Sequence, residues 1–169
     1  RRDQPAGGPD LTGPPATRTY EQLRAAAGSG HIMSEDWDEY AGTWDRDEPV
    51  RYYADQAFAS LLTYVDVRDG RWTKNRVLDF GCGTGLLSEK LAPLVAEIVA
   101  VDTSQKMIDV LRRKPISNVT AVCADVDDPG VRSSAPWFLA FDLIVASSVC
   151  SFLPDYERTL GVLSQTLRP

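Results

Sequence analysis

Short apolar segments alternate with amphipathic ones from Arg76 to the end of this chain. Four apolar runs cover positions 76–80, 97–102, 119–126 and 141–149. Each run is short enough for a strand that is buried on both faces, as the strands of parallel sheets are. Apolar residues recur at helical spacing in the segments 86–94, 104–114 and 155–167. This alternation predicts an α/β fold, a doubly wound parallel sheet with helices on both faces.

The sequence before the first strand has a helical pattern. Ser34 and the acids after it are typical of a helix start, and they precede apolar residues at helical spacing. These residues are Trp37, Tyr40, Ala41 and Trp44. Pro49 begins a second predicted helix. Its expected buried side consists of Tyr52, Tyr53, Ala57, Leu61, Leu62 and Val65. We therefore predict an N-terminal helical cap over residues 33–72, followed by an α/β core over residues 73–169.

Residues 1–32 differ in composition from the rest of the chain. They are rich in proline and glycine and contain few large apolar side chains. Such a segment cannot bury enough surface to offset the entropy of ordering it, so we predict a disordered tail or linker. His31, which is the only histidine, lies in this segment, and we assign it no function.

The net charge of −6 makes some kinds of binding partner unfavourable. An acidic surface repels phosphate backbones, so we expect no nucleic-acid partner. The one basic cluster, residues 112–114, is interpreted as cations near a helix C-terminus, where they offset the helix dipole. No apolar run approaches the roughly 20 residues that cross a bilayer, so we expect no membrane partner.

The cysteines indicate a reducing environment. The chain has three cysteines: Cys82, Cys123 and Cys150. An odd number without Cys-x-x-Cys spacing suits neither a disulfide framework nor a zinc site. Each lies in or beside an apolar segment, where a free cysteine behaves as a small hydrophobic residue. We therefore expect a cytoplasmic protein and no bound metal.

The stretch VLDFGCGTG, residues 77–85, carries the most chemical information. Glycines between a strand and a helix let the backbone approach a ligand closely, and the helix start presents unpaired N–H groups. The spacing is G-x-G-x-G, and Leu86 occupies the place of the third glycine of the dinucleotide motif. Asp79 precedes the glycines, so its carboxylate would repel a diphosphate and attract an ammonium group.

Asp102 supplies a second carboxylate at the end of the next predicted strand. It follows Gly81 by about twenty residues, the separation at which an acid holds a ribose diol. Taken alone, this acid fits a dinucleotide as well as other adenosine ligands. Together with Asp79 and the G-x-G-x-G spacing, it favours a ligand that is both a nucleoside and a cation.

The motifs VLDFGCGTG, VDTS, CADV and FDLIVASSV resemble, in order and spacing, those of class I S-adenosylmethionine (SAM)-dependent methyltransferases. The resemblance covers residues 34–169 and is closest to the methyltransferase-11-like, small-molecule branch. It implies a Rossmann-like sheet, SAM as cofactor, and direct in-line methyl transfer to an unidentified small acceptor. The Asn/Asp-Pro-Pro-Tyr pattern of amino-methylating enzymes is absent after the fourth predicted strand. The resemblance identifies no catalytic residue.

The resemblance also implies which residues bind the cofactor. Asp79 would hold its amino group, Asp102 its ribose hydroxyls and Asp125 the adenine amino group. The complete implied set is Tyr40, Trp44, Asp79, Gly81, Cys82, Gly83, Gly85, Asp102, Thr103, Met107, Asp125, Val126 and Ser147.

Other interpretations of several of these residues stay open. Met107 is equally compatible with a core position, and Asp125 with a turn or cap. The aromatic residues before Pro49 either close over the cofactor or pack as an ordinary amphipathic helix. Arg51 either pairs with the cofactor carboxylate or is an exposed helix residue.

Family sheets have seven strands, whereas only four are predicted here. We therefore expect a truncated chain, or one whose missing strands come from another chain. The fourth strand would then be a bare sheet edge open to self-association. Two rival functions follow: a SAM-binding fragment without catalytic activity, and a nicotinamide-dependent oxidoreductase. Asp79 and the glycine spacing oppose the second of these.

Overall fold

The computed structural model describes residues 37–128, 130–131 and 140–169. Four parallel strands form one sheet in the order β3-β2-β1-β4. They are β1 (Arg76–Phe80), β2 (Glu97–Asp102), β3 (Val119–Cys123) and β4 (Leu143–Val145). In the register, Leu78 of β1 lies between Val99 of β2 and Ile144 of β4. The predicted parallel sheet is confirmed.

Four α-helices and four short 3₁₀ turns with defined bounds flank the strands within the described ranges. The helices are α1 (Glu48–Tyr64), α2 (Leu86–Leu91), α3 (Gln105–Arg112) and α4 (Tyr156–Ser164). The 3₁₀ turns cover Trp44–Arg46, Gly70–Lys74, Ala92–Leu94 and Cys150–Phe152.

Alternate residues of the strands enter two separate cores, one on each face of the sheet. Val77 and Ile98 pack with Leu91 of α2, whereas Leu78 and Val99 pack with Leu163 of α4. Successive side chains of a strand point to opposite faces, so helices must cover both. The doubly wound architecture is therefore confirmed.

The third and fourth strands are shorter than the apolar runs that predicted them. β3 ends at Cys123 rather than at residue 126, and β4 covers only Leu143–Val145 of residues 141–149. Beyond β3, the Asp125 carboxylate accepts the Asp127 N–H at 2.9 Å, which turns the chain out of the sheet. Beyond β4, Ser148 has φ 60°, which is incompatible with an extended strand. Apolar character persists in both segments because they line a cavity.

Capping side chains and a proline determine where three of the helices begin or end. The Ser104 hydroxyl accepts the Met107 N–H at 3.2 Å, so Ser104 caps α3 as predicted. The predicted helix 86–94 is α-helical only to Leu91, because Pro93 has no N–H to continue the pattern. Asp155, rather than Pro154, caps α4 by accepting the Arg158 N–H at 3.0 Å.

The predicted buried side of α1 is wrong in its first turns. Tyr52 and Tyr53 are 65% and 39% exposed, whereas Val50 and Ala54 are buried. Further along, Leu61, Leu62 and Val65 are partly buried against the core, as expected. Val50 and Ala54 are four residues apart and therefore lie on the same face of α1. This face, with small side chains, points inward in place of the predicted Tyr52 and Tyr53.

The described part of the segment before α1 is less helical than predicted. Trp37 and Asp38 are helical, and the chain then runs through successive turns to the 3₁₀ turn Trp44–Arg46. Tyr40 and Ala41 are nevertheless buried, against Met107 of α3. The predicted cap at Ser34 and the predicted tail over residues 1–32 lie outside the described residues.

The edge expected to be bare is partly covered. Phe141 and Leu167 form a parallel bridge just before β4. The Phe141 carbonyl accepts the Arg168 N–H at 2.8 Å, and the Arg168 guanidinium lies 3.0 Å from the Asp142 carboxylate. The outer edge of Leu143–Val145 itself has no paired strand among the described residues. None of the described helices combines the length and apolarity that a bilayer crossing requires.

Gly85 offers a test of the glycine bend. Its φ is +82°, and a Cβ there would collide with the Leu111 side chain. We expect Gly85→Ala to lower the free energy of unfolding by about 2–4 kcal/mol, from backbone strain plus overpacking. Gly161→Ala is the control, because a Cβ inside α4 would meet nothing within 4 Å. It should raise the free energy of unfolding by about 0.5–1 kcal/mol. Equal effects of both substitutions in urea unfolding would contradict this geometry.

Candidate functional site

The carboxyl ends of the four strands border one cavity of about 720 Å³. β1 lies between β2 and β4 in the sheet, so the strand order changes direction there. The chain segments that leave the strand ends at this point diverge around the cavity. Ligands of open α/β sheets bind at this kind of switch point, and the volume is typical of small-molecule sites.

The glycine bend forms one wall of the cavity. Gly81 has φ +68°, and its N–H donates to the Val101 carbonyl at 2.8 Å. The Cys82 N–H donates to the same carbonyl at 3.0 Å, which holds the bend against β2. A Cβ on Gly81 would meet the Val149 side chain at 2.5 Å. Glycine at this position therefore permits both the backbone angle and the close approach of the segment after β4.

Asp79 lies at the closed end of the cavity, where it is only 2% exposed. The Ser88 hydroxyl of α2 donates to its Oδ2 at 2.6 Å. Burial raises the pKa of Asp79 to about 6, and the negative charge of Asp102 acts in the same direction, while the Ser88 hydrogen bond opposes them. The carboxylate is thus charged at neutral pH and has no cationic partner among the described residues.

Asp102 lies beside the bend and is oriented by two backbone donors. Its Oδ2 accepts the Gly83 N–H at 2.8 Å, and its Oδ1 accepts the Ser104 N–H at 2.9 Å. Burial raises its pKa as well, although these hydrogen bonds oppose that shift. A carboxylate has about four acceptor positions, so each oxygen keeps capacity for another donor.

Aromatic side chains form another part of the lining. Trp37 contacts Trp44 edge-on at a centroid distance of 5.8 Å, and contacts Phe152 at 4.8 Å. Phe152 follows β4, so this cluster joins the segment before α1 to the segment between β4 and α4. The sequence pattern indicated the tryptophans but not Phe152, which lies in a loop with no periodic signal.

The cavity brings together most of the residues predicted for the site. All of them line it except Gly85, which precedes α2, and Tyr40, which is buried behind Met107. Met107 lines the cavity and also packs in the core, so both interpretations describe it. Asp125 lines the cavity while forming the turn described above. Arg51 is exposed and is not part of the lining.

Cys82 also lines the cavity, and its thiol is kept in the neutral form. Burial, with help from the nearby Asp79 and Asp102 charges, raises the pKa of its thiol well above the ordinary value. A neutral thiol is a poor nucleophile and a poor metal ligand. The three cysteines are all free, and no cluster of metal-binding side chains occurs within the described ranges.

A family model described as a methyltransferase domain matches residues 78–169. The fold and the glycine bend at the strand ends define the same class, so this chain belongs to the class I SAM-dependent methyltransferases.

Two curated relatives carry methyltransferase names. An uncharacterized methyltransferase of Schizosaccharomyces pombe is 34% identical over 106 residues, which cover 58% of this chain and 37% of the relative. A malonyl-[acyl-carrier protein] O-methyltransferase of Bacillus cereus is 31% identical over 111 residues, covering 64% of this chain and 39% of that enzyme. This chain therefore spans less than half the length of either relative.

A solved structure shows the same fold. Phosphoethanolamine N-methyltransferase 1 of Haemonchus contortus, in complex with phosphoethanolamine and S-adenosylhomocysteine, superposes with a TM-score of 0.58. It is 16% identical, and the match covers 89% of this chain and 31% of that one.

The buried charge of Asp79 gives a stability prediction. Its folded pKa of about 6 exceeds the ordinary value of 3.8, so the folded state binds the proton more tightly than the unfolded state does. Stability should therefore fall as pH rises from about 4 to 6, by roughly 3 kcal/mol for this group. Asp79→Asn keeps an acceptor for Ser88 without the charge. At pH 7.5 it should be about 2 kcal/mol more stable than the wild type in urea unfolding.

The exposed Asp109, in an Asp109→Asn variant, is the control for that experiment, and its stability should stay close to wild type. The advantage of Asp79→Asn should shrink at pH 4.5. An Asp79→Asn variant that is less stable than the wild type at both pH values would show that the carboxylate carries no burial penalty.

Proposed function

We propose that this chain binds SAM in the cavity at the strand ends and transfers its methyl group directly to a small-molecule acceptor. The observation that carries the proposal is a pair of carboxylates beside the glycine bend: Asp79, which is buried, and Asp102, which is partly buried. Membership of the methyltransferase family supports the choice of cofactor.

The residues present fit an amino-acid nucleoside. Asp79 is buried, charged and lacks a cationic partner, so an ammonium group would satisfy it. Asp102 is held by backbone N–H groups with acceptor positions to spare, which suits two ribose hydroxyls. Gly83 leaves room for the chain that joins these groups, because even a Cβ there would approach only Trp44 Nε1, at 3.7 Å.

The remaining predicted residues have places in the same proposal. Thr103 and Met107 would flank the adenine, while Asp125 and the Val126 N–H would pair with its edge. Ser147 would lie beside the amino-acid end, and Trp44 would cover the cofactor. Cys82 would contribute lining only. Gly85 and Tyr40 would act indirectly, the first by starting α2 and the second by supporting Met107.

SAM supplies a methyl group on a positively charged sulfur, which is already activated for displacement. The chain's contribution is then alignment and exclusion of water, and neither needs a catalytic base unless the acceptor is weakly acidic. The Trp37, Trp44 and Phe152 rings provide an apolar cover, and aromatic faces near a cation contribute about 0.5–2 kcal/mol.

A small acceptor agrees with the acidic chain and with the relatives. The net charge of −6 disfavours nucleic acid. The Bacillus cereus relative is named malonyl-[acyl-carrier protein] O-methyltransferase, so the acceptor in its name carries a malonyl group. A nicotinamide dinucleotide fits poorly, because five aspartates line the cavity and would repel a diphosphate: Asp79, Asp102, Asp125, Asp127 and Asp155.

Calorimetric titration with S-adenosylhomocysteine (SAH), the demethylated product of SAM, tests cofactor binding. We expect micromolar binding to the wild type, and weakening by about 2 kcal/mol or more in Asp102→Ala from lost hydrogen bonds to a charged group. Asp66→Ala, at a half-exposed acid before the sheet, should bind as the wild type does. Binding of NAD in preference to SAH would overturn the proposal.

Transfer from methyl-labelled SAM to panels of carboxylic acids, phenols and amines tests the reaction. Labelled small products are expected. SAH binding without transfer to any member would support the rival non-catalytic fragment instead.

A further inference from the structure

Lys114, just beyond α3, lies at a junction of three elements. Its Nζ is 2.7 Å from Asp45 Oδ2 in the 3₁₀ turn before α1, and 3.4 Å from Glu89 Oε1 in α2. The other Asp45 oxygen accepts a hydrogen bond from the Thr84 hydroxyl, inside the glycine bend. We call the side chains of Asp45, Thr84, Glu89 and Lys114 the junction. Its members come from four separate parts of the sequence.

The Lys114 end of the junction is largely withdrawn from water, whereas the Glu89 side chain is 41% exposed. The Lys114 side chain is 12% exposed and Thr84 is fully buried, while the Asp45 side chain is 32% exposed. A nearly buried ammonium between two carboxylates is unlike the neighbouring Arg112 and Arg113, which are exposed. Loss of one partner would leave uncompensated charges in a low-dielectric region, which is far more disruptive than losing a surface ion pair. The dipole interpretation therefore does not describe Lys114.

The junction touches the cavity through its neighbours in sequence. Asp45 follows Trp44, whose Nε1 would lie 3.7 Å from a Cβ on Gly83. Thr84 lies between Gly83 and Gly85, and Gly83 is tied to Asp102 through its N–H. Fixing Asp45 therefore fixes the Trp44 ring over the glycine bend. Asp38 makes a second attachment, because it accepts the Ser104 hydroxyl at 2.5 Å and the Lys106 N–H at 3.2 Å.

We propose that Lys114 is a positioning residue for the cofactor, which holds the segment 37–47 over the cavity through Asp45 and Thr84. Without the Lys114 charge, the segment keeps its hydrogen bonds through Asp38 and from Thr84 to Asp45 but loses the ion pair, so it spends less time docked. A ligand that needs the docked state then binds more weakly in proportion to the docked fraction. This inference rests on the proposed function for its cofactor, but the docking of the segment is independent of any ligand.

Hydrogen exchange and calorimetry on the full chain test the proposal. Lys114→Met removes the charge and keeps the length, Lys114→Arg keeps the charge, and Arg113→Met removes the adjacent exposed charge. Without ligand, Lys114→Met should speed amide exchange in residues 37–47 selectively, while the strand amides stay protected. Its dissociation constant for SAH should rise about tenfold, as expected if the docked fraction falls to about a tenth. Lys114→Arg should restore most of both properties.

Asp45→Asn provides a second route if Lys114→Met folds poorly. It still accepts from Thr84 but loses the ion pair, so it should reproduce the selective exchange. The double variant Lys114→Met/Asp45→Asn should bind SAH no more weakly than the weaker-binding of the two single variants. Both substitutions remove the same Lys114–Asp45 ion pair, so their effects should not add.

Exchange and SAH affinity equal to those of Arg113→Met would overturn the role of Lys114. A uniform rise in exchange over the whole chain would also overturn it, since that indicates a stabilising residue only. Failure of the wild type to bind SAH would instead remove the proposed function, and the exchange pattern would still decide the role of Lys114.

Discussion

Two carboxylates at one end of the sheet, Asp79 buried and Asp102 partly buried, are the constraint on which this site depends. Asp79 and Asp102 end or nearly end adjacent parallel strands, and Asp102 lies two residues beyond the register partner of Asp79, so both carboxylates line the cavity. Burial raises the pKa of both groups, and the Asp102 charge adds to the cost of ionising Asp79. A fold that keeps such a pair is stabilised when a ligand supplies a cation and hydroxyl donors.

The surrounding structure serves to keep these acids close to a ligand and away from water. The left-handed Gly81 brings the backbone against Val101 and Val149, which fixes the glycine bend between β2 and the segment after β4. Ser88 and the Gly83 N–H orient the oxygens. The segment before α1 covers the opening with tryptophans. This segment is attached through Asp38 and Asp45. Acidic residues therefore both line the cavity and hold the tryptophans beside it.

The sequence predicted the parts of the fold that depend on local patterns. β1 and β2 have the predicted bounds because each is a continuous apolar run that ends at a polar turn, and Ser104 caps α3 as its hydroxyl suggested. The face of α1 was missed because Tyr52 and Val50 compete for burial, and only packing decides between them. Phe152 and the Lys114–Asp45 pair were missed because their partners lie far away in sequence, where periodicity carries no information.

The central claim is that Asp79 recognises the amino-acid end of the ligand rather than its nucleoside. The most direct test compares SAH with 5′-methylthioadenosine, which keeps the adenosine and sulfur but lacks the amino acid, in calorimetric titrations of the wild type and Asp79→Asn. We expect the substitution to weaken SAH binding by at least about tenfold, the loss of a charge-assisted hydrogen bond, while the affinity for methylthioadenosine stays unchanged. An equal loss for both ligands, or no loss for either, would contradict the claim.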